Sequence, residues 1–290
     1  MNKTTEASLE PKLLTVYDQH LVILEAGRAE KNYWSDIWRY RELFFILAWR
    51  DVSVRYKQTV IGVAWAVIRP FLTMLVFTVI FGYVAKLPSE GTAPYALMVL
   101  SAMLPWTAFS SAFGDASNSL INNANLISKV YFPRIIVPAA SVVVAFIDFL
   151  ISFSILVLMM LWFQWIPGWQ ILLLPVFILL AFFVSLGPSL WVTALNVKYR
   201  DFRYIIPFIV QFGLYVSPVG FSSSVVPEQW RLLYSINPIV GVIDGFRWCI
   251  LGESKIYWPG FAVSIFVTFF FLWFGVRQFR KMERQFADLI

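Results

Sequence analysis

Side chains that carry out chemistry are scarce in this sequence of 290 residues. There is one cysteine, Cys249, which excludes an internal disulfide and any metal cluster built on cysteine. The one histidine, His20, precedes every apolar run, which excludes a serine–histidine catalytic pair inside a membrane. No glycine is followed by lysine, so the chain has no phosphate-binding P-loop. We therefore predict that the chain is not an enzyme, is not itself an ATPase of the P-loop type, and holds no metal ion or cofactor.

Charged residues are also few, at 14% of the chain against roughly 25% in a soluble domain. The mean hydropathy is +0.71, and the apolar residues gather into six runs. A helix needs roughly 20 such residues to cross a bilayer core of about 30 Å. The sequence therefore predicts an all-α integral membrane protein with six transmembrane helices. Their expected ranges are 61–85, 95–113, 137–163, 170–195, 204–222 and 258–276.

Lysine and arginine are unevenly distributed between the segments that join these runs. Most of them lie in 31–57, 115–134, 196–203 and the tail. The alternate connections contain only Lys86, Arg231, Arg247 and Lys255. Because segments rich in lysine and arginine stay on the cytoplasmic side, both termini are predicted to be cytoplasmic.

The segment before the first run has tryptophans at helical spacing, including Trp34, Trp38 and Trp49, with charged residues between them. This pattern is typical of an amphipathic helix in the membrane interface, and a soluble helix packed on the cytoplasmic loops is the alternative. We expect four parts in the chain. They are a cytoplasmic extension over 1–32, the interface helix over 33–59, the six-span domain over 60–276 and a cytoplasmic tail over 277–290.

Residues 115–134 read DASNSLINNANLISKVYFPR and separate two apolar runs by far more polar chain than a turn needs. Leu120, Ala124, Ile127 and Tyr131 follow the i, i+4, i+7, i+11 spacing of one helix face. The pattern predicts a cytoplasmic helix that a partner grips. An amphipathic helix resting on lipid is the alternative.

The predicted outer connection 223–257 contains two short helical patterns, 227–235 and 239–251, divided at Asn237-Pro238. We expect a re-entrant or interfacial helical hairpin, which membranes tolerate only where it is buried in protein or lines a cavity. Asp244 and Arg247 are three residues apart in its second helix and are predicted to pair.

Asp148 is the one carboxylate at the centre of a predicted span. An ionisable group at that depth is a functional candidate by default, here as a proton relay. The other interpretation is that Asp148 is protonated or hydrogen-bonded to Ser141, Ser152 or a neighbouring helix.

Two stretches carry a resemblance to a known family. The first is RYKQTVIGVAWAVIRP at 55–70. The second, at 200–252, has in order Arg-Asp, a glutamine in the fifth span, Ser-Pro, a proline-initiated helix, Asn-Pro, Phe-Arg and Leu-Gly. Residues 33 to 285 resemble the permease subunit of ABC exporters that move cell-surface polysaccharides: O-antigen, capsule or teichoic acid.

The resemblance implies a homodimer in the bacterial inner membrane with two copies of a cytoplasmic ABC ATPase, which would bind ATP and Mg²⁺. The implied cargo is a polysaccharide on an undecaprenyl pyrophosphate carrier, and membrane lipids are the surroundings. Nucleic acid is not an expected partner. The alternatives are the same architecture exporting a drug or a lipid, and an ATP-independent channel or flippase.

The resemblance also implies roles for individual residues. The conduit would be lined from spans one and five, although the aromatic residues concerned also suit ordinary helix packing; its residues are Trp65, Arg69, Phe77, Phe81, Phe208, Phe212 and Tyr215. Arg55, Lys57 and Arg69 would meet the carrier pyrophosphate, unless Arg69 instead snorkels to lipid phosphates.

The segment 115–134 would be the coupling helix that fits a groove of the ATPase. Its residues are Leu120, Ala124, Ile127, Lys129 and Tyr131. Arg200 and Asp201 would either form a local salt bridge or add a second ATPase contact. The outer helices would form a gate with the residues Pro227, Asn237, Pro238, Asp244 and Arg247, and the alternative for Asn237-Pro238 is an ordinary helix stop.

Overall fold

The computed structural model describes residues 33–57, 62–252 and 255–286, and the side chains from Ala64 onward in the second range. These ranges contain helices and loops, without a strand. The predicted extension over 1–32, the last two residues of the interface helix and the end of the tail lie outside them. The all-helical class is therefore confirmed for the described part.

The interface segment forms two helices where one was predicted: α1 (Tyr33–Arg39) and α2 (Arg41–Lys57). The interruption is a single turn residue, Tyr40, around which helix-type hydrogen bonds continue. Arg41 donates to the carbonyl of Trp38 at 3.4 Å, which satisfies an acceptor that the interruption leaves free. Trp34, Trp38 and Trp49 are all exposed, so the tryptophans remain on the outside.

Within the described residues, five helices are long and apolar enough to cross a membrane. The first is α3 (Gly62–Phe77), which continues as a π-helix over Thr78–Val84. The second is α4 (Tyr95–Asn122), and after the four-residue α5 (Ala124–Ile127) comes α6 (Ile136–Trp162). The fourth is α7 (Leu174–Lys198), which a 3₁₀ turn precedes. The fifth, α11 (Trp258–Glu283), follows three shorter helices.

The expected fifth span, 204–222, is wrong in its length. Helix α8 covers Phe202–Val216, which is 15 residues or about 22 Å. It ends because Pro218 has no backbone N–H and forces Ser217 into an extended conformation (φ −89°, ψ 151°). Five of the six predicted spans are therefore long enough to cross a membrane. The sixth, α8, is shorter than a bilayer core of about 30 Å.

The predicted helix over 115–134 is also wrong as a continuous element. Residues up to Asn122 belong to α4, and α5 adds a single turn. Asn123 breaks the helix because its amide side chain donates to the Ser119 carbonyl at 2.8 Å, in competition with the helical backbone. Leu120 is fully buried while Tyr131 is exposed, so the expected residues do not form one face.

Between α8 and α11 lie a 3₁₀ turn, α9 (Glu228–Tyr234) and α10 (Pro238–Leu251), close to the two predicted helical pieces. Asn237 begins α10 by accepting from the Ile239 N–H at 3.4 Å, and Pro238 occupies the first helical position. Helix α10 is buried over most of its length against α4, α7 and α11. It is thus enclosed by protein, as the sequence pattern required.

The centre of the molecule is α4, which packs against α6, α7, α10, α3 and α8. Helices α7 and α11 approach closely where Gly187 meets Gly275. A Cβ atom on Gly187 would lie 2.7 Å from the backbone nitrogen of Leu272, and one on Gly275 would overlap the Gly187 carbonyl. Small residues of this kind let membrane helices pack backbone to backbone.

Candidate functional site

Helix α8 presents an exposed aromatic face. Phe208, Phe212 and Tyr215 are 66%, 59% and 64% exposed, and the rings of Phe208 and Phe212 stack with centroids 5.9 Å apart. Tyr204 lies one turn earlier on the same face and is 80% exposed. The opposite side of α8 is buried through Ile206. The structure therefore brings three predicted conduit residues together and adds Tyr204, which the same i, i+4 spacing would have identified.

The predicted conduit residues of α3 separate into two groups. Trp65 and Arg69 are one turn apart and exposed. The Arg69 side chain has no hydrogen-bond or ion-pair partner among the described residues. Phe77 and Phe81 instead pack against each other, with centroids 5.4 Å apart, and against the backbone at Gly220. The structure thus places these two phenylalanines in a helix-packing contact, while Trp65 and Arg69 face outward.

A charged cluster joins α2, α4 and α6. Arg55 on α2 pairs with Asp115 on α4, at 2.7 Å, and with Asp148 on α6. Tyr56 donates a hydrogen bond to the other carboxylate oxygen of Asp148. Burial and this hydrogen bond raise the pKa of Tyr56, which keeps its hydroxyl group a donor.

Of the alternatives for Asp148, the structure shows a bond to a neighbouring helix, α2. The hydroxyl group of Ser152 donates to the carbonyls of Ala66 and Asp148 rather than to the carboxylate, and that of Ser141 donates to a backbone carbonyl. Arg55 therefore has carboxylate partners within the protein, whereas Lys57 at the end of α2 is exposed. The partner of Asp148 could not be read from the sequence because Arg55 lies 93 residues away.

Beside this cluster lies a polar cleft of about 780 Å³, bounded by α2, α4, α6 and Arg203. Arg50 pairs with Asp51 at 2.7 Å and also donates to the Asn123 side chain at 2.8 Å. Asn123 is the residue that separates α4 from α5. The interface helix is thus bonded directly to the predicted coupling segment 115–134.

The described structure leaves part of the predicted coupling segment on the surface. Lys129 and Tyr131 are exposed, Ala124 is partly buried, and Leu120 and Ile127 are buried in the protein. Beyond this exposed turn, the backbone N–H of Arg134 donates to the carboxylate of Glu283 at 2.6 Å, which ties the segment to the end of α11. Of the five residues expected to contact a partner, Lys129 and Tyr131 are therefore the exposed ones.

Arg200 and Asp201 are both exposed, and they form no ion pair with each other in the part of the chain that the structure describes. The prediction of a local salt bridge is wrong. Asp201 instead begins α8, because its carbonyl accepts from the backbone N–H groups of Tyr204 and Ile205 at 3.0 and 3.3 Å.

At the other end of the molecule, Arg247 is completely buried and does not pair with Asp244, so that prediction is wrong. Its guanidinium contacts Glu90 at 3.4 Å and donates to the carbonyls of Met98, Val219 and Phe221. The last two carbonyls lie in the non-helical segment after α8, where helical partners are missing. The side chain of Arg247 therefore points towards these acceptors and away from its own helix.

The carboxylate of Asp244 belongs to a second cluster of buried polar side chains, close to Arg247. Its Oδ1 atom has no partner in the described structure, and neither do Glu90 Oε2 nor the hydroxyl group of Tyr234. Burial raises the pKa of Asp244 to about 7, although Arg247 and a hydrogen bond with Ser223 act in the opposite direction. Nearby, Asn237 donates to Ser217 at 3.1 Å, and Tyr95 donates to the carbonyl of Gly220. Sequence reasoning missed Glu90, Tyr95 and Ser217.

Long apolar helices, an enclosed helical hairpin and polar clusters at both ends define a multi-pass membrane protein. The family model described as "ABC-2 type transporter" matches residues 42–251. Because the match covers well over half of the chain, this protein belongs to the ABC-2 type transporter family.

Among curated proteins, the chain is similar to proteins named "O-antigen export system permease protein RfbA". The one from Myxococcus xanthus is 26% identical over 260 residues, which cover 88% of this chain and 98% of the relative. Two from Klebsiella pneumoniae are each 24% identical and cover 86% of this chain and 95% of the relatives. The expected resemblance to permeases of polysaccharide ABC exporters is confirmed.

Proposed function

We propose that this chain is the membrane-spanning subunit of an exporter for an undecaprenyl-pyrophosphate-linked, O-antigen-like polysaccharide. It acts in the bacterial inner membrane with both termini in the cytoplasm, and ATP hydrolysis in a separate subunit drives export. The observation that carries this proposal is the similarity to O-antigen export permeases over 88% of the chain and nearly the whole of the relative. Polysaccharide is the substrate class that these relatives' names share.

The exposed aromatic face of α8 supports a polysaccharide cargo. A long sugar chain has to slide, and aromatic rings offer apolar surfaces on which sugar C–H faces stack without requiring one register. Tyr204, Phe208, Phe212 and Tyr215 present such a surface. Two copies of the chain with these faces opposed, and with Trp65 beside them, would enclose a passage. The functional unit in this proposal is therefore a homodimer.

The exposed part of the connection after α5 supports coupling to an ATPase. Lys129 and Tyr131 are exposed, and Arg50 bonds the interface helix to Asn123, immediately before α5. Two copies of a cytoplasmic ATPase, each with ATP and Mg²⁺, would press on these surfaces. Ala124, Arg200 and Asp201 lie within the contact that we propose, and the buried Leu120 and Ile127 anchor it.

The carrier pyrophosphate is assigned to Arg69, with help from Lys57. Both side chains are exposed, whereas Arg55 has protein carboxylates as partners. An arginine binds phosphate through two parallel N–H groups, which a lysine cannot do. Export should therefore fall in Arg69→Lys almost as much as in Arg69→Gln, whereas a residue that only snorkels to lipid would tolerate lysine.

The outer helices α9 and α10, with Pro227, Asn237 and Pro238 at their beginnings, form the gate in this proposal. Arg247 and the neighbouring Asp244 support it, because they lie beside the non-helical segment that ends α8. Opening would tilt α9 while α10 stays packed against α4.

The proposal is tested in vesicles that contain the permease, its ATPase and a labelled glycan-lipid. We expect glycan movement to require ATP, and Lys129→Glu with Tyr131→Ala to reduce both ATPase binding and export. Lys255→Glu, a charge change on the opposite side of the predicted topology, is the matched control and should have no effect. Movement of the glycan without an ATPase, or transport of a drug or simple lipid in its place, would contradict the proposed function.

A further inference from the structure

A long apolar groove separates the interface helices from two of the membrane spans. It has a volume of about 1040 Å³ and lies between α1 and α2 on one side and α7 and α11 on the other, with the start of α6 lining it as well. Phe44 lines it from α2, Phe183 and Leu190 from α7, and Phe269 from α11. The groove is on a different part of the molecule from the aromatic face of α8, and neither the conduit nor the ATPase contact uses it.

One end of the groove is strongly basic. Arg277 and Arg280 line this end from the last turns of α11, and Arg41 lines the groove from α2, while no aspartate or glutamate of the described ranges is among the lining residues. The guanidinium of Arg41 lies over the Trp38 ring at 5.7 Å, and that of Arg277 lies over the Trp273 ring at 5.3 Å. Tryptophan and arginine together are typical of the part of a membrane protein that lies at the depth of the lipid headgroups.

The length of the apolar part matches one leaflet of a bilayer. From Phe269 to Arg280 the helix rises by about 16 Å, and half of a hydrocarbon core of about 30 Å is roughly 15 Å. A phospholipid with its phosphate at the basic end would therefore have acyl chains as long as the groove. A polyprenyl carrier chain is much longer than one leaflet and would extend beyond it.

We propose that this groove is a binding site for an anionic phospholipid, with the phosphate between Arg41 and Arg277 and the acyl chains along Phe183 and Phe269. Basic pockets between membrane helices on the cytoplasmic side bind anionic headgroups, and the charged residues of the described ranges that line the groove are all arginines. The bound lipid fills the space between the interface helices and the spans α7 and α11. The site depends on the membrane location of the chain and not on what the chain exports.

The experiment measures lipid retention by the purified full-length protein in detergent. Phosphatidylglycerol and phosphatidylcholine with identical acyl chains are titrated separately and bound lipids are counted by native mass spectrometry. We expect phosphatidylglycerol to bind more tightly, and Arg41→Gln with Arg277→Gln to lose about 30-fold in affinity for it, since each arginine contributes about fivefold. The matched control, Arg39→Gln with Lys198→Gln, removes two exposed charges outside the groove and should bind as the unmodified protein does.

Two further variants keep the test decisive if the glutamine variant folds poorly. Arg41→Lys with Arg277→Lys preserves the charge and should preserve most of the preference for phosphatidylglycerol. Ala139→Trp, which fills the apolar part of the groove, should reduce retention of both lipids.

Equal retention of the two lipids by the unmodified protein would overturn the proposal, as would a glutamine variant that matches its control. Displacement of phosphatidylglycerol by a lower concentration of a polyprenyl phosphate would also overturn it. Loss of dimers in Ala139→Trp would overturn it as well, because the occupant of the groove would then be a second copy of the chain.

Discussion

The residue with the clearest energetic role in the described structure is Arg247. It is completely buried, forms an ion pair with Glu90, and donates hydrogen bonds to three backbone carbonyls in α4 and in the segment after α8. Removing one partner of a buried ion pair leaves an unpaired charge, at a cost of about 3–5 kcal/mol. We therefore expect Arg247→Met to lower the apparent stability by about this amount, measured by thermal unfolding in detergent.

A double substitution separates the charge from the other contacts of Arg247. Glu90→Leu combined with Arg247→Met removes both charges, so the double variant should recover part of the stability that the single arginine variant loses. Arg200→Met, at an exposed position without an ion pair among the described residues, is the control and should change little. If Arg247→Met unfolds at the temperature of this control, the buried pair contributes nothing and our interpretation is wrong.

Asp244 makes stability depend on pH in a defined direction. Its pKa is about 7 in the folded protein, above the ordinary value of 3.8, because burial disfavours the charged form. The unfolded chain therefore releases its proton at lower pH than the folded chain does, and stability falls as the pH rises from about 4 to about 7. We expect the melting temperature to be lower at about pH 8 than at about pH 5, and Asp244→Asn to reduce this difference. An equal difference in the asparagine variant would show that other groups produce it.

At the scale of helices, the contact between α7 and α11 depends on two glycines. A methyl group on Gly275 would overlap the carbonyl oxygen of Gly187, so Gly275→Ala must push the two backbones apart. Overpacking of this kind costs about 1–3 kcal/mol. Gly114 is a matched control inside α4, where a Cβ atom would meet nothing within 4 Å. Gly114→Ala should be neutral or slightly stabilising in thermal unfolding, and a similar loss in both variants would contradict the packing argument.

Much of this architecture could be predicted from the sequence because hydrophobic length and proline chemistry are local properties. The five long spans, the start of α10 at Pro238 and the exposed face at Phe208 and Phe212 follow from patterns within about 20 residues. The predicted ends were less accurate. Ser217-Pro218 ends α8 early, and the side chain of Asn123 interrupts the expected coupling helix.

The polar partners could not be predicted because they are distant in the sequence. Arg247 was assigned to Asp244, three residues away, but it contacts Glu90 and carbonyls at Met98 and Phe221. For Asp148 the sequence left Ser141, Ser152 or an unspecified neighbouring helix open, and Arg55 and Tyr56 of α2 bind it. A local pattern shows that a buried charge needs a partner, and only the packed structure shows which partner it has.

For the molecule as a whole, the charged cluster at Arg55 joins helices from different parts of the chain. It connects the interface helix to α4 through Asp115 and to α6 through Asp148, and Arg50 extends the connection to Asn123. A force applied to the connection after α5 therefore reaches three helices through direct ion pairs and hydrogen bonds. In the proposed exporter, this cluster transmits the closure of the ATPase to the spans.

Arg55→Gln removes the centre of this cluster while leaving the proposed ATPase contact at the exposed Lys129 and Tyr131 unchanged. We expect the ATPase to bind normally and to hydrolyse ATP, but glycan export per ATP to fall by about fivefold to tenfold, because coupling between sites spans about 5–150-fold in known systems. Arg39→Gln removes an exposed charge of α1 and is the matched control. Export and hydrolysis measured together in the same vesicles distinguish lost coupling from lost binding. If Arg55→Gln exports as efficiently per ATP as Arg39→Gln, the cluster stabilises the fold without transmitting motion, and the path from the ATPase to the spans must run elsewhere.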